Sequence, residues 1–67
     1  MLKCYYYTFI RVYKGMYIYG RGECQCTGEF QLAYISKVLQ DKFGKDTSIL
    51  SWQEISQEQF DQLKDLI

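Results

Sequence analysis

The sequence predicts a small α+β domain with two layers and the element order ββαβα. Three observations support this fold class. Two segments rich in tyrosine, phenylalanine and β-branched residues flank a Lys-Gly pair, which indicates a β-hairpin. Apolar residues then recur at helical spacing. A third strand-like segment follows, and it ends at a capping-box pattern that predicts a second helix.

Length and composition predict a single domain that spans residues 1–67. The hydrophobic fraction is 48% and proline is absent, which argues against a disordered tail or a linker. A chain of this length buries only about 60% of its unfolded surface, and self-association is one common source of additional stability. The N-terminal segment lacks the apolar core of a signal peptide, and no apolar run is long enough to span a membrane. We therefore expect a cytoplasmic protein without a membrane partner. The compact, proline-free chain looks like a small bacterial or phage accessory protein.

The loop of the predicted hairpin decides which side chains share a face of the sheet. A two-residue loop of Lys14 and Gly15 requires a positive φ at the lysine, which is costly for a residue other than glycine. A three-residue loop that begins at Tyr13 places Gly15 in the left-handed position, which glycine adopts readily. We therefore expect the three-residue loop.

This loop pairs strand Leu2–Tyr13 with strand 16–26 so that Cys4 lies opposite Cys24. The apolar face of the hairpin then consists of Leu2, Cys4, Tyr6, Thr8, Ile10, Val12, Met16, Ile18, Cys24 and Cys26. The outer face consists of Lys3, Tyr5, Tyr7, Phe9, Arg11, Tyr13, Tyr17, Tyr19, Arg21, Glu23 and Gln25. Because every charge of the two strands is on the outer face, the pattern favours this register.

An apolar stripe predicts a first helix that covers the apolar face of the hairpin. The stripe consists of Leu32, Ile35, Val38, Leu39 and Phe43. Thr27 or Gly28 is the expected N-cap, and Gly44 is the expected left-handed residue at the C-terminal end.

Residues 47–55 are the expected third strand, which pairs antiparallel with the first strand and gives the strand order 2-1-3 with a right-handed crossover. Ser56 and Gln59 form a capping box at the start of a short second helix. The apolar side chains of that helix are Phe60, Leu63 and Ile67. We expect both helices on one face of the three-stranded antiparallel sheet, with the second helix beside the first or in contact with a second copy.

The segment YGRGECQC, residues 19–26, resembles a phosphate-binding loop or a metal site at first sight. A phosphate-binding loop leads directly into a helix N-terminus, whereas several strand-like residues follow these glycines. Gly20 and Gly22 point inward in the expected register, opposite Thr8 and Tyr6, so we interpret them as space for a helix or for the Tyr6 ring.

The three cysteines, Cys4, Cys24 and Cys26, are interpreted as small buried apolar residues. A Cys4–Cys24 redox pair across the hairpin is an alternative, as is a weakly activated thiol at Cys26. The chain has no histidine, so the commonest general base is absent and a zinc site lacks a fourth ligand. We expect no enzymatic activity, no cofactor and no metal.

The outer face of the hairpin is the predicted functional surface, because contiguous exposed aromatic groups commonly mark a partner site. The expected partner-binding residues are Tyr5, Tyr7, Phe9, Arg11, Tyr17, Tyr19 and Arg21. Tyrosine and arginine are frequent at the centres of protein interfaces. The leading hypothesis is a non-enzymatic interaction module that binds another protein or a second copy of itself. Weak binding of single-stranded nucleic acid is the alternative, because aromatic and basic residues on a sheet suit stacked bases, although the net charge is zero.

Overall fold

The computed structural model describes residues 2–65 and confirms the expected order of elements. The elements are β1 (Leu2–Tyr13), β2 (Met16–Thr27), α1 (Leu32–Phe43), β3 (Ser48–Ile55) and α2 (Gln57–Asp65). The strands form one antiparallel sheet in the order β2-β1-β3, as predicted. Ile67, which was assigned to the apolar side of the second helix, lies outside the described residues.

The hairpin loop contains two residues, so the expected three-residue loop is wrong. Lys14 and Gly15 both have positive φ, 52° and 77°, and Tyr13 pairs with Met16. Two-residue loops of this type match the right-handed twist of the flanking strands. A left-handed residue other than glycine costs about 1–2 kcal/mol. This register places Phe9 opposite Gly20, where its ring is buried, and the burial of an aromatic side chain opposes that cost.

The shorter loop shifts the register by one residue and exchanges the two faces of β2 relative to β1. We call one side the α1 face; it consists of Lys3, Tyr5, Tyr7, Phe9, Arg11, Tyr13, Met16, Ile18, Gly20, Gly22, Cys24 and Cys26. We call the other side the α2 face; it consists of Leu2, Cys4, Tyr6, Thr8, Ile10, Val12, Tyr17, Tyr19, Arg21, Glu23, Gln25 and Thr27. Each face carries charged residues, so the expected segregation of charge onto one face is also wrong.

Helix α1 lies on the α1 face of the sheet. The ring of Phe43 stacks on that of Phe9, with 5.5 Å between centroids. The helix begins at Leu32 with Gln31 as the N-cap, so the expected N-cap at Thr27 or Gly28 is wrong. Thr27 continues β2, and the loop that follows brings Phe30 over the sheet, as described below.

Only part of the expected apolar stripe of α1 is buried. Leu39 is buried and Ile35 is half-buried, whereas Leu32 and Val38 are exposed. Gly44 ends the helix as expected, and its N–H donates to the carbonyl oxygen of Gln40 over 2.8 Å. Its backbone angles, φ 112° and ψ 164°, lie in a region that only glycine adopts readily rather than in the left-handed helical region.

Helix α2 lies on the opposite face of the sheet from α1. The Cys4 thiol donates to Oε1 of Gln57 over 3.4 Å, and Tyr6 and Leu63 line a shared pocket of about 330 Å³. Residues of a strand alternate between the two faces, so the contact of α2 with Cys4 and the contact of α1 with Phe9 place the helices on different sides. The expected placement of both helices on one face, in two layers, is therefore wrong.

The capping box of α2 is confirmed. Ser56 Oγ accepts from the Gln59 N–H over 3.1 Å, and Oε1 of Gln59 accepts from the Ser56 N–H over 3.1 Å. This reciprocal pair satisfies two backbone donors at the start of the helix. The helix therefore begins where the sequence pattern indicates.

Strand β3 begins one residue later than expected, at Ser48, and contains a bulge. Ser51 pairs with Thr8 but Ile49 pairs with Phe9, so Leu50 is an additional residue between them. A bulge of this kind bends the strand and interrupts the ladder. The β3 edge of the sheet is therefore less regular than the β2 edge, where the pairing with β1 is continuous.

The core is small. Among the described residues, the buried apolar side chains are Cys4, Tyr5, Phe9, Leu39 and Phe60. The large apolar side chains that remain exposed are Leu2, Tyr13, Met16, Tyr17, Tyr19, Leu32, Tyr34, Val38, Leu50 and Trp52. More large apolar groups are therefore exposed than buried, and association is one common way for a small domain to bury such groups.

Candidate interaction surface

The seven residues predicted to bind a partner are divided between the two faces of the sheet. Tyr5 and Phe9 are each only 6% exposed, and Tyr7 and Arg11 are half-buried on the same α1 face. The other three, Tyr17, Tyr19 and Arg21, are exposed on the α2 face. The expectation of one continuous exposed surface is wrong, because a shift of one residue moves every side chain of β2 to the other face.

The aromatic residues of β1 form a cluster with Phe30 beneath the start of α1. The Phe30 ring lies 5.5 Å from that of Tyr5 and 5.8 Å from that of Tyr7, measured between centroids. It also stacks on Trp52 at 5.2 Å. The Tyr5 hydroxyl donates to the carbonyl oxygen of Gly28 over 2.9 Å, and burial raises the pKa of this phenol. Tyr5 and Tyr7 therefore contribute to the core.

Sequence reasoning missed Phe30, which is central to this cluster. It lies in the loop before α1 and belongs to no periodic pattern. Its place immediately before the N-cap Gln31 is the position of a hydrophobic staple, a helix-start signal that could have identified it.

Gly20 and Gly22 make room for the rings of β1 and have the structural role that was expected. A Cβ at Gly20 would overlap the ring of Phe9, and a Cβ at Gly22 would overlap the end of the Tyr7 side chain. The expected partners, Thr8 and Tyr6, are wrong by one residue because of the register. The rings therefore occupy the space over the β2 backbone that side chains at Gly20 and Gly22 would fill.

The exposed part of the α2 face forms a second aromatic surface near the hairpin loop. We call it the tyrosine patch; it consists of Ile10, Val12, Tyr17, Tyr19 and Arg21. Tyr17 and Tyr19 are 72% and 73% exposed, and they lie opposite the half-buried Val12 and Ile10. The contacts that fix α2 are at the other end of this face, around Cys4 and Tyr6.

The basic residues do not gather at the tyrosine patch. Arg11 is on the α1 face, where its guanidinium lies 4.6 Å above the Phe43 ring. Lys3 pairs with Glu54 at 3.9 Å. Arg21 is in the patch, but Glu23 lies two residues away on the same face. Nucleic-acid binding requires a cluster of basic residues beside the aromatic residues. In this structure Lys3, Arg11 and Arg21 do not form such a cluster.

The cysteines are free, and the register separates Cys4 from the other two. Cys4 pairs with Gln25 and Cys24 pairs with Tyr5, so the two thiols lie on opposite faces and cannot form the alternative redox pair. The Cys26 thiol points toward the carbonyl oxygens of Gly28 and Glu29, at 3.9 and 3.6 Å. Within residues 2–65 no group of three or more potential ligands could hold a metal ion.

We expect Cys24 to react slowly with iodoacetamide at neutral pH. Burial raises the pKa of this thiol, and repulsion from the ionised forms of Cys26 and Cys4 raises it further, so the thiolate fraction is smaller than in a free cysteine. The check is the rate of modification at each cysteine by mass spectrometry between pH 6 and 10, with the urea-unfolded chain as control. A higher rate of modification at Cys24 in the folded chain than in the unfolded chain would contradict this expectation and would support a thiol-based function.

None of the helices in the described part of the chain is both long and apolar enough to cross a membrane. Comparisons with models of protein families, with curated proteins and with solved structures found no match to this chain.

Proposed function

We propose that this protein is a small non-enzymatic interaction module that binds a protein partner through the tyrosine patch. The observation that supports this most directly is that Tyr17 and Tyr19, two residues apart on one strand, are both mostly exposed on a sheet face. A half-open antiparallel sheet normally presents polar side chains there. Exposed neighbouring aromatic groups are more typical of a contact surface.

The composition of the patch suits a protein partner. Tyrosine supplies a large rigid surface and a hydroxyl group, and arginine is the charged residue most frequent at interface centres. Ile10 and Val12 add apolar area beside the rings. Arg21, at the edge of the patch, would fix the orientation of an acidic group on the partner.

A catalytic role has less support from the same residues. The chain contains no histidine, and burial raises the pKa of Cys24 rather than lowering it. A nucleophile therefore lacks the usual means of activation in the described residues.

The proposal is tested by a tagged pull-down from cell lysate with the double variant Tyr17→Thr/Tyr19→Thr. Threonine keeps the β-propensity of the strand but removes both rings. The matched control is Tyr13→Thr/Tyr34→Gln, which removes two other exposed tyrosines that lie outside the patch. We expect a protein that wild type and control retain and that the patch variant loses, and we expect purified partner to bind with the same dependence.

Nuclease treatment of the lysate separates the two kinds of partner. Retention of the bound protein after nuclease supports the proposal. Loss of all captured material would favour the nucleic-acid alternative, for which binding should also weaken steeply with salt. Equal capture by the patch variant and the control would overturn the role of the tyrosine patch.

A further inference from the structure

Strand β2 forms a long open edge of the sheet. It contains twelve residues, Met16–Thr27, and its only neighbour within the described chain is β1. Open edges present unpaired N–H and C=O groups, and proteins commonly protect them with proline, lysine, a bulge or a short strand. β2 has no proline or lysine, and its pairing with β1 is continuous. The edge is therefore suited to pairing with another strand.

The hairpin loop determines which residues of β2 direct their backbone groups to this edge. In a two-residue hairpin the flanking residues, here Tyr13 and Met16, form a hydrogen-bonded pair, and such pairs alternate along the ladder. The even-numbered residues of β2 therefore bond to β1. The odd-numbered residues, from Tyr17 to Thr27, direct their N–H and C=O groups outward.

The charges of β2 select one register for pairing with a second copy. Arg21 and Glu23 are both odd-numbered and both lie on the α2 face. An antiparallel pair with its two-fold axis at Gly22 places each Arg21 opposite Glu23 of the other copy. An axis at Arg21 or at Glu23 instead places like charges opposite each other, which is destabilising. Within the monomer neither residue faces a charge, because Arg21 lies opposite Thr8 and Glu23 opposite Tyr6.

We propose that this protein forms a symmetric dimer in which the β2 strands of two copies pair antiparallel about Gly22. The register aligns Tyr19 with Gln25 and Tyr17 with Thr27 of the other copy. Every outward-facing residue of β2 then finds a backbone partner along the whole strand. The result is a continuous six-stranded sheet with isologous symmetry. The α1 faces of both copies lie on one side of it, and the α2 faces lie on the other.

The dimer does not require the proposed binding role, because it uses the backbone groups on the edge of β2, whereas the binding role uses the exposed side chains of the tyrosine patch. Tyr17, Tyr19 and Arg21 take part in both, because their backbone groups lie on the edge and their side chains lie in the patch. The dimer presents two tyrosine patches on the same side, whereas packing of two copies by their patches would bury them. Oligomeric state therefore tests the dimer, and capture by Tyr17→Thr/Tyr19→Thr tests the binding role.

Charge-reversal variants of Arg21 and Glu23 test the register in which the two β2 strands pair. We expect Arg21→Glu and Glu23→Arg each to weaken dimerisation on the order of tenfold or more, since each replaces two opposite-charge pairs by two like-charge pairs. The double variant Arg21→Glu/Glu23→Arg restores the opposite-charge pairs and should return the dissociation constant to within about threefold of wild type. The measurement is sedimentation equilibrium over a concentration series at low salt, with circular dichroism to establish that each variant is folded.

Amide hydrogen exchange provides a second readout that does not depend on any substitution. On concentrating the wild type, the N–H groups of odd-numbered β2 residues such as Tyr19, Arg21 and Glu23 should gain protection. Those of even-numbered residues should be protected at all concentrations. A monomer at millimolar concentration, a dimer that both single reversals leave unchanged, or a dimer whose protection does not alternate in this way would overturn the proposal.

Discussion

Replacement of Phe9 by alanine is expected to cost about 3–5 kcal/mol of unfolding free energy, as for other buried phenylalanines. Phe9 is one of the few buried side chains, and its ring lies between the Gly20 backbone and the Phe43 ring. A domain of this length has a total stability of about 3–10 kcal/mol. The variant should therefore be largely unfolded at room temperature or lose roughly 15–30 °C in Tm, measured by circular dichroism.

Tyr19→Ala is the matched control for this prediction. Tyr19 is also an aromatic residue of the hairpin, but it is mostly exposed, so its loss should cost about 1 kcal/mol or less. The three-residue loop would have placed Phe9 and Tyr19 together on an outer face. Similar, small effects of both substitutions would support that register and contradict the faces described above.

Gly20→Ala is expected to destabilise the protein by about 1–3 kcal/mol, even though alanine is normally the better strand residue. The added methyl group would overlap the Phe9 ring, and Phe43 stacks against that ring and limits its movement. Gly22→Ala provides a comparison on the same strand. It meets the outer end of the half-buried Tyr7 side chain, which can rotate away, so its cost should be smaller.

Urea denaturation of the two glycine variants measures the difference, and a double-mutant cycle identifies its cause. In the background of Phe9→Leu, which removes the overlapping ring atoms, Gly20→Ala should lose most of its effect. An unchanged cost in that background would show that the methyl group clashes with something other than Phe9. A stabilising Gly20→Ala in the wild-type chain would show that the ring does not lie on the β2 backbone.

Local patterns in the sequence were sufficient to predict the elements and their order. The period-two segments, the helical stripe that contains Leu39 and the capping box of Ser56 and Gln59 each act within a few residues. The strand order 2-1-3 also followed, because a hairpin and one crossover leave few arrangements of three antiparallel strands. These features depend on local propensity and on simple topology, and both can be read from residue spacing.

Only the tertiary structure decided which face each hairpin residue occupies. A cost of about 1–2 kcal/mol at Lys14 argued against the two-residue loop, but the protein has that loop, and packing of the Phe9 ring on Gly20 and Phe43 opposes the cost. Because the side chains of a strand alternate, the one-residue change of register placed the predicted partner-binding residues of β1 and those of β2 on opposite faces. The β1 residues are Tyr5, Tyr7, Phe9 and Arg11, and the β2 residues are Tyr17, Tyr19 and Arg21. The sequence by itself determined that the hairpin is rich in tyrosine; long-range packing determined which tyrosines became core and which remained exposed.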